Sequence, residues 1–151
     1  MGASQGQTAG FAEFPLGDFG KEMKKMLLAA VGICLTVLTA EAVEPVPMGS
    51  ALRKELFESI RPQAEALTSK AVKFAGSMNR EGIWVYFIGQ MVDDKGVPIP
   101  IGEADSAEAL ALWKKDGETW RVVDFRAGFT DALFLEYPEK YGAPKALFGQ
   151  E

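Results

Sequence analysis

Residues 83–91 read IWVYFIGQM. As a strand, this run places Ile83, Val85, Phe87, Gly89 and Met91 on one face. Trp84, Tyr86, Ile88 and Gln90 fall on the other. An antiparallel strand with one wet face alternates apolar and polar residues; this one is apolar on both sides almost to its end. A sheet built around it needs cover twice, so the chain has to supply a layer on each face.

One layer is legible upstream. Leu52, Leu56, Ile60 and Leu67 recur at a spacing of three to four, with Phe57 and Ala64 beside them. Ser50 stands where an N-cap belongs. Arg53, Lys54, Glu55, Glu58 and Glu65 are expected on other faces, and Pro62 is expected to kink or break the helix. The strands come as two hairpins. In the first, Glu81-Gly82 serves as the loop, which pairs Phe74 with Gly89 and Gly76 with Phe87. In the second, Asp116-Gly117 is the loop, which pairs Trp113 with Trp120 and Leu112 with Arg121. Leu110, Val123 and Phe125 then face the helix, and the Trp113–Trp120 face points away from it. Between the hairpins, Asp93–Glu108 reads as a turn and a long loop, because Pro98 and Pro100 oppose a central strand.

The second apolar face has three candidate covers: the C-terminal segment, a second subunit making a homodimer, or a ligand. The segment GFTDALFLEYPEKYGAPKALFG, residues 128–149, fits the first. Leu133, Phe134, Leu135, Tyr137, Leu147 and Phe148 supply the apolar surface, and its Pro and Gly residues let it follow a curved sheet.

The N-terminal part has the organisation of an export signal. Lys21, Lys24 and Lys25 precede an apolar run from Met26 to Leu38, followed by Ala40-Glu41-Ala42. The run falls short of the ~20 residues a membrane span needs. Residues 23–42 are therefore expected to be a signal peptide, and residues 1–22 an extension ahead of a true start at Met23 or Met26. Residues 43–49 are expected to be a Pro-rich leader, and residues 50–151 a single domain. Cleavage after Ala42 implies a periplasmic or secreted protein with no membrane attachment. The 151-residue chain has a spread net charge of −5, which suits no nucleic-acid partner. From Val43 onward it contains no Cys and no His. That removes a disulfide framework, the usual zinc ligands and any His-based triad.

Four stretches carry a resemblance: ALRKELFESIRP, IWVYFIGQ, DGETWRVVDF and YGAPKALFG. Together they resemble a family of small exported bacterial domains with no assigned activity. One helix before a bent four-stranded sheet is similar to the cystatin-like, cone-shaped α+β superfold. The resemblance implies an α+β domain: an N-terminal helix on a curved four-stranded antiparallel sheet, wrapped by the C-terminal segment. It implies no catalytic residue, and the superfold hosts enzymes, inhibitors and binding modules alike.

The residues leave few routes to chemistry. Asp131 and Asp124 are the candidate catalytic acids, either of which could serve as a general base beside aromatic rings. The stronger readings are structural: Thr130-Asp131 as a helix cap, and Asp124 with Arg126 or Arg121 as an ion pair. Glu103, Asp105 and Glu108 form a loose acidic cluster without calcium-loop spacing, so no metal and no cofactor is expected. The ligand-binding candidates are Trp84, Tyr86, Trp113, Trp120 and Arg126, with Tyr137 and Tyr141 nearby in the tail. Such rings stack on a protein, peptide or glycan partner of the cell envelope, or they form core. The expectation is a non-catalytic binding or interaction domain. The alternatives are a cofactor-free enzyme using an Asp base and a dimeric structural protein.

Overall fold

The computed structural model describes residues 41–151, and the signal peptide and N-terminal extension read above lie outside them, save Glu41 and Ala42. The elements in order are β1 (Glu44–Pro45), α1 (Ala51–Thr68), β2 (Lys73–Glu81), β3 (Trp84–Val92), β4 (Glu108–Asp116) and β5 (Thr119–Ala127). A 3₁₀ turn (Leu133–Glu136), the short helix α2 (Tyr137–Tyr141) and a second 3₁₀ turn (Lys145–Phe148) complete the chain. The strands form one open antiparallel sheet in the order β1-β2-β3-β4-β5. The protein is thus α+β with five strands, one more than expected. The extra strand comes from the Pro-rich leader: Glu44 and Pro45 pair with Arg80 and Asn79, and Val46 is buried in the core.

Helix α1 starts where Ser50 Oγ accepts from Arg53 N at 3.2 Å. It runs unbroken past Pro62. Pro62 is exposed, so the Glu58 carbonyl that its missing N–H would have met lies on the solvent side. Leu56, Phe57, Ile60 and Ala64 are buried against the sheet, whereas Leu67 is exposed. Val85, Phe87, Met91, Ala109, Ala111, Trp113 and Phe125 form the sheet's side of this core, and Ile99 joins it from the loop. That loop contains no strand, only isolated bridges from Val92 to Pro98 and from Ile101 to Ser106. Asp93 shapes its start by accepting from Lys95 N and Val97 N.

Both hairpin loops sit one residue later than expected. They are Gly82-Ile83 and Gly117-Glu118, with glycine in the first loop position at φ +57° and +61°. That is the position a type II′ turn assigns to glycine. In the first hairpin the slip keeps every face but changes every partner: Gly76 now faces Gly89, Phe74 faces Met91, and Met78 faces Phe87. The glycine pair is a close backbone crossing. A Cβ on Gly89 would lie 2.1 Å from the Ala75 carbonyl oxygen, and one on Gly76 would lie 2.3 Å from that of Ile88. Phe57, Phe74 and Phe87 come together on the helix side of this crossing, with centroids 4.9, 5.0 and 5.9 Å apart.

In the second hairpin a bulge changes the faces. Trp113 pairs with Val122, but Leu112 pairs with Asp124, which leaves Val123 as the extra residue. Trp113 lies opposite Val85 and is buried in the helix-side core, and Trp120 packs at its edge. Leu110 and Val123 belong instead to the far face, so the expected orientation of this hairpin is reversed for all of them except Phe125. The sheet is strongly curled toward α1. Two strands separate β2 from β5, a span of about 14 Å if the sheet were flat, yet Phe74 and Phe125 meet at 6.4 Å between ring centroids.

The far face is covered by the chain's own C-terminal segment. Tyr137, Ala143, Leu147 and Phe148 are buried against Trp84, Tyr86, Leu110 and Leu112. Tyr86 meets Phe148 at 4.8 Å and Phe134 at 6.0 Å. Leu135, counted among the covering residues, points outward and is 54% exposed. At ~1.5–3 kcal/mol per fully buried large side chain, this second core is a major part of stability.

The glycine crossing makes a prediction. Gly89→Ala is expected to cost about 3 kcal/mol, because backbone and not a movable side chain meets the new methyl group. Gly117→Ala, where nothing stands within 4 Å of the added Cβ, is expected to cost only the left-handed penalty of about 1 kcal/mol. Urea denaturation of both variants checks the order.

Candidate functional site

The side chains singled out in the sequence are divided between the two cores. Trp84 and Tyr86 are buried under the tail, 7% and 4% exposed. Lys114 Nζ lies over the Trp84 ring at 4.9 Å. Trp113 is fully buried on the opposite side of the sheet, and its Nε1 donates to Ser59 Oγ of α1 at 2.9 Å. Trp120 is half-buried at the edge of that core, flanked by Arg80 and Lys115. The three tryptophans therefore form no shared exposed patch.

Asp124 and Arg126 sit on the tail side of β5 and are joined there by Tyr137. Arg126 Nε donates to both Asp124 oxygens at 3.2 and 3.3 Å, and Tyr137 Oη donates to Asp124 Oδ2 at 2.9 Å. Asp124 raises the pKa of Arg126 by its charge and then by its hydrogen bond. Burial first, and then the bond to Asp124, raises that of Tyr137. The adjoining cavity is about 100 Å³, well below the few hundred that hold a small-molecule substrate. With its oxygens already accepting from two donors, Asp124 works as an anchor for α2. Asp131 is exposed; its carbonyl accepts from Leu133 N at 2.9 Å. The expected cap from Thr130-Asp131 does not form, because the following turn begins after Ala132 with no side-chain cap. Glu103, Asp105 and Glu108 are all exposed, and among the described residues no three acidic, His or Cys groups converge on a metal position.

The sequence reading missed a cavity of about 300 Å³ beside the start of α1. The segment Met48–Ser50 forms one wall, and Arg53, Lys54, Phe57 and Arg61 of the helix form the other. Arg53 is its structural centre. Only 5% exposed, it donates from Nη2 to the Gly76 carbonyl at 2.7 Å and from Nη1 to that of Val46 at 3.5 Å, and its guanidinium lies 5.1 Å from the Phe57 ring centroid. Burial lowers its pKa. No carboxylate pairs with it among the described residues. Arg61 bonds the Val72 carbonyl and pairs with Glu58 at 3.1 Å. The signal that could have located this site is spacing: Arg53 precedes Leu56 and Phe57 by three and four residues, so it belongs to the apolar stripe and not to a wet face.

A larger and shallower depression of about 490 Å³ lies at the end of the sheet between Pro98, Pro100, Ser106 and Thr130. No family model, no curated protein and no solved structure matches the chain.

Two tyrosines in the far core differ in a testable way. The Tyr86 hydroxyl is buried with no partner among the described residues, whereas that of Tyr137 is held by Asp124. Tyr137→Phe is expected to lose about 1.5–3 kcal/mol, the range for a hydrogen bond to a charged group, and Tyr86→Phe to be neutral or stabilising. Urea midpoints compare them.

Burial raises the pKa of both groups, so each remains protonated in the folded state above pH 10, where the unfolded chain releases its protons. Their contribution is whole below pH 10 and falls as pH rises beyond it. The expected slope is about 1.4 kcal/mol per pH unit for each tyrosine. Stability measured from pH 9 to 12 should show the loss, and Tyr86→Phe should reduce its slope.

Proposed function

We propose that this chain is an exported, non-catalytic binding or interaction domain of the bacterial cell envelope. The observation that carries the reading is the cavity beside α1, where a buried guanidinium with no carboxylate partner among the described residues lies next to an aromatic ring and two further cations. A few convergent polar groups against an apolar wall are the usual make-up of a small-ligand site. The acids offered for catalysis support the non-catalytic half: Asp124 is committed to Arg126 and Tyr137, and Asp131 faces solvent. The curled sheet with a helix across its concave side supports the cystatin-like reading of the fold. Export is supported by the sequence pattern ahead of Val43 and is consistent with an exposed Glu41-Ala42 stretch leading straight into β1. No helix among the described residues is long and apolar enough to cross a membrane.

Expression of the full sequence in a bacterium, followed by fractionation and mass spectrometry, tests export. The expected product is periplasmic and begins at Val43; a full-length cytoplasmic product would sink that part. For binding, amide NMR signals of the product are followed on addition of N-acetylglucosamine oligomers, short peptides and alkyl anions. Saturable shifts are expected in Met48–Arg61, with none around Asp124. Silence throughout Met48–Arg61 with every probe would overturn the binding reading.

A further inference from the structure

We infer that the cavity beside α1 takes an amphiphilic monoanion, an alkanoate-type molecule with one carboxylate head and a short apolar tail. This rests on the binding reading and names the ligand class for its site.

The charge argument is local. The whole chain has a net charge of −5. The cavity reverses that sign: Arg53, Lys54 and Arg61 line it, and only Glu58 is paired with one of them, leaving three cations against one acid. The buried guanidinium of Arg53 is the decisive group. Its two named bonds go to backbone carbonyls, which satisfy donors but do not cancel the charge. Packed beside Phe57, the group is shielded from water, so an arriving carboxylate is attracted more strongly than at an open surface. Arginine's planar fork also suits a carboxylate.

The tail follows from the remaining wall. Phe57 offers its ring, and Met48 is 78% exposed at the mouth, an unbranched side chain well suited to an irregular apolar partner. The cavity's volume of about 300 Å³ corresponds to about ten non-hydrogen atoms at roughly 30 Å³ each. A carboxylate with a chain of six to eight carbons is about that size, whereas a compact inorganic anion without a tail would leave Met48 and Phe57 without a contact.

The test uses the protein from Val43 to Glu151 and three probes of equal tail length: sodium octanoate, octylammonium chloride and 1-octanol. Binding is read from the Met48 methyl signal and the amides of Ser50–Arg61. Octanoate is expected to saturate these shifts, with octylammonium and octanol at least tenfold weaker. Lys54→Glu is the variant of choice, because Lys54 is exposed and its side chain makes no hydrogen bond or ion pair among the described residues, so its melting temperature should match that of the parent. Its octanoate affinity should fall about tenfold. Arg53→Lys, which keeps a charge but loses the fork, should weaken octanoate binding further, with near-ultraviolet circular dichroism confirming that it folds. Equal binding of octanol or octylammonium at these residues would overturn the ligand class and leave the binding reading intact. If glycans, peptides and all three octyl probes leave Met48–Arg61 unmoved, both fall together. Unchanged octanoate affinity in Lys54→Glu and in Arg53→Lys would also overturn the assignment of the head group.

Discussion

A sheet that is apolar on both faces is the constraint from which the rest of this molecule follows. Strand β3 places Val85 and Phe87 on one side and Trp84 and Tyr86 on the other, all buried. Neither side can face water without losing the burial that stabilises a domain of this size. Helix α1 closes one face and the segment from Leu133 to Phe148 closes the other. The two covers differ in kind. The helix satisfies its own backbone and brings a continuous stripe, whereas the tail is a series of short turns that follows the convex side of a curled sheet. Pro138, Pro144, Gly142 and Gly149 set those turns, with both glycines left-handed at helix ends.

Arg53 solves the problem that this arrangement creates at the sheet's edge. Strand β1 pairs for only two residues, and Val46 N then donates to the Met78 carbonyl. The next carbonyl on that edge belongs to Gly76. Arg53 reaches it from the helix while also bonding the carbonyl of Val46. A side chain thus extends the ladder where the main chain has turned away to begin α1. That fixes the helix over the Gly76–Gly89 crossing and blunts part of an open edge, a place where unpaired groups invite pairing with other chains. The same contacts strand a positive charge among carbon and carbonyl groups. A device that serves the fold therefore also places a buried cation at the wall of the cavity beside α1.

How much of this could be read from the sequence depended on how locally each feature is determined. The α1 stripe, its Ser50 cap, the faces of the first hairpin and the tail as cover are set by residues within a few positions of one another, and they are as the pattern implied except at Leu67 of the stripe and Leu135 of the tail, which are exposed. The second hairpin failed because of one residue. Val123 bulges, so Phe125 shares a face with Trp113, and the expectation that put Leu110, Val123 and Phe125 together toward the helix holds for Phe125 alone. Nothing in TWRVVDF announces a bulge, because its two valines suit a regular strand equally well. Strand β1 was hidden for a different reason: two residues of VEPVPMG pair through their backbone against β2, which proline-rich composition does not signal. The cavity beside α1 was hidden because a charged residue at a stripe position was assigned to solvent by type, against its spacing.

The division between structure and function on this sheet follows from where polar groups are left unsatisfied. On the tail side, the polar groups of β5 are spent on one another: Asp124 takes Arg126 and Tyr137, and the pair holds α2 in place. Asp124 accepts from both donors beside a cavity of only about 100 Å³. On the helix side the situation is reversed. Trp113 is satisfied by Ser59, and Arg61 by Val72 and Glu58, which leaves Arg53 with hydrogen bonds but no counter-charge among the described residues. Removing that group would release the helix from Gly76, so the fold alone is reason to retain it. What the site presents is what the fold already maintains: a fixed cation, an aromatic wall and an opening between Met48 and Lys54.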